Sequence, residues 1–213
     1  MKVEELQNYL KDIQTTYQRF EVIESLAKQI QNDKTILQSI KDILENCKTF
    51  EDLKRNSIIC SYCIHILIQS QRPESMYILL QHIKSLPDFM PLKYVEFLGR
   101  LLPFFGKIII GPAKELCQYP KGTPQHAIGV QILCNLFLDG LLGEENFPYL
   151  IELIRDFEQD PYFTKNLIDM VKSTREYKDF LKKSSKNINK DLELDEDIIF
   201  DDSILIKKSS DEV

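Results

Sequence analysis

The chain has 213 residues, 43% of them hydrophobic, and a formal net charge of −6. This length and apolar content suffice to bury a sizeable core, which excludes disorder throughout. Leu, Ile, Lys, Glu and Gln dominate, and most of these side chains lose little rotamer freedom in a helix. The five cysteines, an odd number within apolar text, predict reduced thiols rather than a disulfide framework.

The N-terminal segment, residues 1–13, is charged and amphipathic and lacks the apolar region of a secretory signal peptide. The most apolar stretches, residues 57–68 and 128–142, are interrupted or shorter than the roughly 18 apolar residues that a membrane span needs. We therefore expect a cytoplasmic protein, with a nuclear location as the alternative, and no association with a membrane.

Negative charge is concentrated at the C-terminal end. Residues 182–213 contain six Lys and nine Asp or Glu, whereas the rest of the chain contains 21 basic and 24 acidic residues. Neither part is basic enough to predict a nucleic-acid-binding surface.

Apolar residues recur at helical spacing along the chain, which predicts a succession of amphipathic helices. The first 30 residues contain one or two of them. A helix then follows the cap Asn32-Asp33, and Thr49 caps another that runs to about Gln71. The remaining helices are expected at residues 73–86, 91–104, 112–119, 123–142, 147–158, 161–172 and 174–183.

Prolines support several of these boundaries, because proline fits the first turn of a helix, where its missing N–H would be unpaired anyway. Arg72-Pro73, Thr123-Pro124 and Asp160-Pro161 are each predicted to be a cap residue followed by the start of a helix.

Helix starts recur with a regular period. Those at Lys34, Pro73, Pro112 and Phe147 are separated by 39, 39 and 35 residues, a period that indicates stacked pairs of helices. Over residues 34–172 the chain resembles the HEAT and armadillo families of helical repeats. The resemblance implies an all-α fold, a right-handed superhelix of stacked helix pairs, with an irregular helical bundle as the alternative. The repeat domain is expected to span residues 1–183.

A polar stripe marks the helix predicted over residues 123–142. Its residues are spaced by four within an otherwise apolar segment, so they share one helix face: Gln131, Asn135 and Asp139. In stacked helical repeats the second helix of each unit usually lines the concave surface. The corresponding residues of the preceding unit are Lys93, Glu96 and Arg100. These six residues predict a polar groove for a partner; the alternative is the solvated side of an amphipathic helix.

Cysteine and histidine residues give no clear catalytic or metal-binding pattern. Cys60, Cys63 and His65 form the motif CSYCIH, but no second pair of ligands completes a zinc site. Core packing of these residues is the preferred interpretation. His126 is expected to have a surface or capping role, and His82 to be exposed. The sequence predicts no metal and no cofactor.

From Ser184 onward the helical periodicity stops, and the segment 184–213 is predicted to be a disordered acidic tail. Within it, Ile198, Ile199 and Phe200 are flanked by Asp and Glu. Apolar triplets in such surroundings resemble short linear motifs that dock on a partner protein. The alternative is a solubilising tail.

Together these features predict a non-enzymatic scaffold or adaptor that binds a protein partner through a polar groove and an acidic tail. Two alternatives remain. Some HEAT-like proteins are alkylpurine DNA glycosylases, although such enzymes depend on a basic groove with aromatic residues, and this chain has no Trp. The chain could instead be a small inhibitory protein whose acidic tail covers a basic site.

Overall fold

The computed structural model describes residues 1–13, 16–47, 49–157, 160–162 and 164–183, and every regular element in these ranges is helical. The all-α prediction is therefore confirmed. The α-helices are α1 Val3–Lys11, α2 Thr16–Gln29, α3 Lys34–Glu45, α4 Phe50–Arg55, α5 Ser57–Ser70, α6 Pro73–Lys84, α7 Leu92–Leu101, α8 Ile110–Leu116, α9 Pro124–Leu138, α10 Phe147–Phe157, α11 Lys165–Ser173 and α12, residues 175–183.

The chain divides into two units, Met1–Val171 and Lys172–Val213. Of the second unit, the structure describes residues 172–183, most of which form α12. The elements that follow belong to the first unit.

Polar caps fix several helix starts where the sequence predicts them. The Asp33 side chain accepts a hydrogen bond from the Thr35 backbone N–H, and the Thr49 hydroxyl accepts one from the Asp52 N–H. The hydroxyl of Thr123 does the same for the N–H of His126, with Pro124 as the first helical residue. Each cap satisfies a backbone donor that has no partner within the helix.

Several helix boundaries differ from the prediction. The helix expected from Thr49 to about Gln71 is interrupted at Asn56, whose side-chain amide donates to the Asp52 carbonyl at 3.1 Å. Asn competes in this way with the backbone hydrogen bonds of a helix. The prediction that Pro161 starts a helix is wrong. Asp160 accepts a hydrogen bond from the Tyr162 N–H in a turn, and α11 begins at Lys165.

The helix predicted over residues 91–104 ends earlier, at Leu101, and continues as a 3₁₀ segment, Leu102–Ile109. Gly106 lies inside this segment with a φ of 68°. A positive φ suits glycine because it has no Cβ to clash with the backbone. The local break redirects the chain toward α8.

Helix α9 is the most deeply buried element. Every residue from Pro124 to Cys134 is buried, as expected of a helix that is apolar on nearly all sides. It packs against α7, α8 and α10. Gly129 allows the contact with α8, since a Cβ there would lie 2.8 Å from the Ala113 carbonyl oxygen and from the Cys117 backbone nitrogen.

The N-terminal helices pack in a second group. Helix α2 lies against α5, and α3 contacts α1, α5 and α6. Arg72, the cap residue of α6, donates to the Ile30 and Gln31 carbonyls at 3.3 and 3.4 Å. This side chain therefore ties the start of α6 to the end of α2.

Candidate binding cleft

Five of the six residues predicted to form a polar groove lie on α7 and α9, which pack directly against each other, and the sixth, Asp139, is the C-terminal cap residue of α9. Gln131 is only 2% exposed, and its amide donates to the Thr164 hydroxyl at 3.2 Å. Asn135 is half-buried and donates to the carbonyl oxygens of Gly99 and Gln131. The expectation that Gln131 lies on an open surface is therefore wrong.

The close approach of the two helices explains this burial. Gly99 of α7 faces Gln131, and a Cβ at position 99 would overlap the Gln131 side chain. Because α7 has no side chain there, the polar stripe of α9 can form hydrogen bonds to the α7 backbone. Asn135 thus joins α9 to α7 by a hydrogen bond, whereas Gln131 packs against Gly99 and donates to Thr164.

The other four residues of the predicted groove are more accessible. Lys93, Arg100 and Asp139 are exposed, and Glu96 is half-buried. The Glu96 carboxylate accepts a hydrogen bond from the Thr164 hydroxyl at 3.4 Å and lies 4.0 Å from the Arg100 guanidinium. Of the six, Lys93 borders an open cavity.

That cavity, which we name the α5–α7 cleft, has a volume of about 480 Å³. Helices α4, α5 and α7 and the segment before α7 contribute its lining residues, namely Phe50, Leu53, Lys54, Ser57, Ser61, Met90, Pro91, Lys93, Tyr94 and Phe97. Carbon-rich side chains and two Ser hydroxyls make up most of the surface. A concave, mostly apolar site of this volume is typical of ligand-binding pockets.

Ring contacts join α5 to α7 at one end of the cleft. The His65 and Phe97 rings meet edge to face with centroids 5.4 Å apart. The centroids of the Tyr94 and Phe97 rings are 6.3 Å apart. Burial lowers the pKa of His65, and the nearby Arg19 lowers it further. His65 is therefore neutral at pH 7 and contributes an uncharged aromatic edge.

A second cleft, of about 700 Å³, lies between α3 and α6. Its charged residues all form ion pairs: Lys41 lies 3.6 Å from Glu45, and the Glu74 carboxylate lies 3.1 Å from the guanidinium of Arg72, the cap residue of α6. The α3–α6 cleft therefore presents mutually compensated charge, which distinguishes it from the α5–α7 cleft.

His82 is one of the residues that line the α3–α6 cleft, and the expectation that it is exposed is wrong. It is 4% exposed, and its Nε2 shares a hydrogen bond with the Tyr94 hydroxyl at 2.7 Å. Burial lowers the pKa of His82 to about 4, and burial raises the pKa of Tyr94 well above its ordinary value. Both groups are thus neutral at pH 7, as a buried hydrogen-bonded pair should be.

His126 was expected at the surface or as a cap, but it is buried and lies beside Asp160, with Nδ1 3.5 Å from the carboxylate. Asp160 also accepts hydrogen bonds from the backbone N–H groups of Gly122 and Tyr162, both at 2.8 Å. Burial raises the pKa of Asp160, but the His126 contact and these two hydrogen bonds together hold it below its ordinary value. The cluster fixes the turn before α9 to the turn before α11.

All five cysteines are buried free thiols, which confirms the core-packing interpretation of Cys60 and Cys63. The thiols of Cys47 and Cys60 are in contact, with sulfurs 3.1 Å apart. The Cys60 contact lowers the pKa of Cys47, whereas burial raises the pKa of Cys63. Within the described ranges, no three His, Cys, Asp or Glu side chains converge as metal ligands would.

Ile198, Ile199 and Phe200, the tail residues predicted to dock on a partner, lie outside the described residues. Among the helices described, none combines the length and apolar character needed to cross a membrane. No family model, curated protein or solved structure matches the chain.

Sequence reasoning missed most of the cleft. It selected Lys93 but not Tyr94 or Phe97, whose side chains line the same cavity. A signal was present, since Phe97 follows Lys93 by four residues and so lies on the same side of the helix. Nothing in the sequence indicates that Phe50, Leu53 and Lys54 of α4 line the same cavity, because the position of α4 near α7 depends on tertiary packing.

Proposed function

We propose that this chain is a non-enzymatic helical-repeat scaffold that binds a segment of a protein partner in the α5–α7 cleft. The observation that carries the proposal is an open, largely apolar cavity between helices, lined in part by aromatic side chains. Helix pairs that leave such a groove commonly accept a peptide segment with its apolar side chains inserted.

The helix contacts support a repeat arrangement for the scaffold. We take α1–α2, α3–α5, α6–α7 and α8–α9 as the helix pairs, which adds one pair before residue 34. The first helices of the first three pairs contact in succession, α1 with α3 and α3 with α6. Among the second helices, α2 contacts α5 and α7 contacts α9. Neighbouring units contact only each other in a solenoid. In this arrangement α5 and α7 are consecutive second helices, and the cleft separates them.

We also propose that the acidic tail makes a second contact with the partner, and the support for this part of the proposal comes from the sequence alone. Its apolar triplet, Ile198, Ile199 and Phe200, lies between acidic residues, a composition typical of short docking motifs. The scaffold would then engage its partner through two separate elements.

Filling the cleft tests the proposal whatever the charge of the partner segment. Ser61 lines the cavity from α5, so we expect Ser61→Phe to occupy the space and abolish partner binding. Gln69, an exposed residue two turns further along α5, provides the matched control Gln69→Phe. Quantitative mass spectrometry of purified complexes would identify the partners. We expect these proteins to be recovered with wild type and Gln69→Phe and lost with Ser61→Phe. Equal recovery with both variants contradicts the proposal.

A further inference from the structure

Two lysines contribute positive charge to the lining of the α5–α7 cleft. Lys54 and Lys93 approach it from α4 and α7 and are exposed. Neither ammonium group forms an ion pair with any residue that the structure describes. The lining residues include no Asp or Glu. The cavity is therefore apolar at its centre and cationic at its edge.

Helices α4 and α7 carry three acidic residues: Asp52 and Glu96 have hydrogen-bond partners, and Glu51 is exposed. The Asp52 carboxylate accepts a hydrogen bond from the Thr49 hydroxyl at 2.6 Å. Glu96 is bound by Thr164 and lies beside Arg100. None of these three carboxylates lies within ion-pair distance of Lys54 or Lys93.

A third cation extends this surface. The Arg19 guanidinium of α2 lies over the Tyr62 ring, 5.4 Å from its centroid, a geometry in which the ring attracts the cation. Arg19 is also close enough to His65 to lower its pKa, after the larger effect of burial. His65 in turn contacts Phe97 of the cleft. Arg19 thus places a third positive charge near His65, a neighbour of the cleft residue Phe97.

We infer that the ligand of the α5–α7 cleft is an acidic peptide segment that inserts bulky apolar side chains between Asp and Glu residues. This inference rests on the function proposed above and adds the chemistry of the partner. The apolar cavity accepts aliphatic or aromatic side chains, which gain free energy on leaving water. Lys54 and Lys93 attract the flanking carboxylates and set the register of the segment.

A peptide of sequence DEDIIFDD, which corresponds to residues 195–202 of this chain, has the required chemistry and is the probe. The test protein is the full chain with Ile198, Ile199 and Phe200 replaced by Ser, so that it contains no copy of the same apolar triplet. Fluorescence anisotropy of the labelled peptide gives its dissociation constant. Ser61→Phe in this background establishes whether the peptide occupies the cleft.

Charge reversal tests the electrostatic part of the inference. Lys54→Glu combined with Lys93→Glu should weaken peptide binding about tenfold, and added salt should weaken binding to the test protein. Lys107, an exposed lysine outside the cleft, supplies the control Lys107→Glu, which changes affinity less than about twofold. A peptide with the same apolar residues and amides in place of carboxylates, NQNIIFNN, should also bind about tenfold more weakly.

Three results would overturn the inference. The first is that NQNIIFNN binds with the same affinity as DEDIIFDD while Ser61→Phe still blocks binding. The cleft would then bind peptides without preference for acidic ones, and the proposed function would survive. The second is that Ser61→Phe does not change the affinity for DEDIIFDD, which would place the peptide-binding site outside the α5–α7 cleft. Tighter binding of a single-stranded oligonucleotide at the cleft would identify the wrong class of ligand and contradict the proposed function as well.

Discussion

His82 makes the stability of the protein depend on pH. Its pKa in the folded state is about 4, against an ordinary value of 6.5, because the imidazole is buried. The unfolded chain therefore binds the proton more readily, and stability is lost as the pH falls from 6.5 toward 4. Between pH 7 and pH 5 this single group should reduce the free energy of unfolding by about 2 kcal/mol.

Replacement of the imidazole provides the control. His82→Gln cannot titrate in this range, so urea unfolding of the variant should lose about 2 kcal/mol less than wild type between pH 7 and pH 5. Removal of the hydrogen bond to Tyr94 should also make the variant less stable at pH 7. If both proteins lose the same free energy between the two pH values, His82 does not control the acid response.

Glycine at position 129 sets the distance between α8 and α9. A Cβ there would lie 2.8 Å from backbone atoms of Ala113 and Cys117, which cannot move as a flexible side chain can. We expect Gly129→Ala to lower the free energy of unfolding by about 1–3 kcal/mol, the usual cost of overpacking.

The control is Gly111→Ala in α8, where an added Cβ meets no atom of another helix within 4 Å. That change should cost less than about 1 kcal/mol, because alanine favours a helix over glycine, although Pro112 disfavours a helical conformation of the preceding residue when it has a Cβ. Chemical denaturation of the two variants separates the effects. Similar stability changes in both would contradict the close packing of α8 on α9.

The sequence predicts the individual helices well where local chemistry determines them. Thr49 and Thr123 cap the helices that the pattern assigns to them, since a hydroxyl followed by free N–H groups is a local signal. The signal for the break at Asn56 is equally local but weaker, because a single Asn lowers helix propensity only slightly. Prediction of helix starts fails at Pro161, where the Asp160 hydrogen bonds stabilise a turn instead.

The positions of polar residues relative to solvent could not be predicted in the same way. Gln131 and Asn135 share one helix face whether that face meets water or a neighbouring helix. The structure places Gln131 against Gly99 of α7, a contact that depends on tertiary packing. His82 is missed for a similar reason, because its partner Tyr94 comes from the next helix.

At the level of the whole first unit, the binding surface depends on how α4, α5 and α7 come together. The sequence indicates a partner-binding face on α7, and Lys93 does border the α5–α7 cleft. The polar character expected for the groove differs from the largely apolar cavity observed. Apolar residues such as Phe97 were assigned no binding role, because a helix pattern alone does not reveal which of them remain uncovered after packing.

The most direct test of the proposed cleft is to map the binding site of DEDIIFDD by NMR on the isotopically labelled full chain with the tail triplet replaced by Ser. We expect the largest shift changes at Ser57, Ser61, Tyr94 and other residues of the α5–α7 cleft, and little change at Tyr77 and Gln81 of the α3–α6 cleft. Changes centred on the α3–α6 cleft, or none at saturating peptide, would contradict the assignment of the α5–α7 cleft as the binding surface.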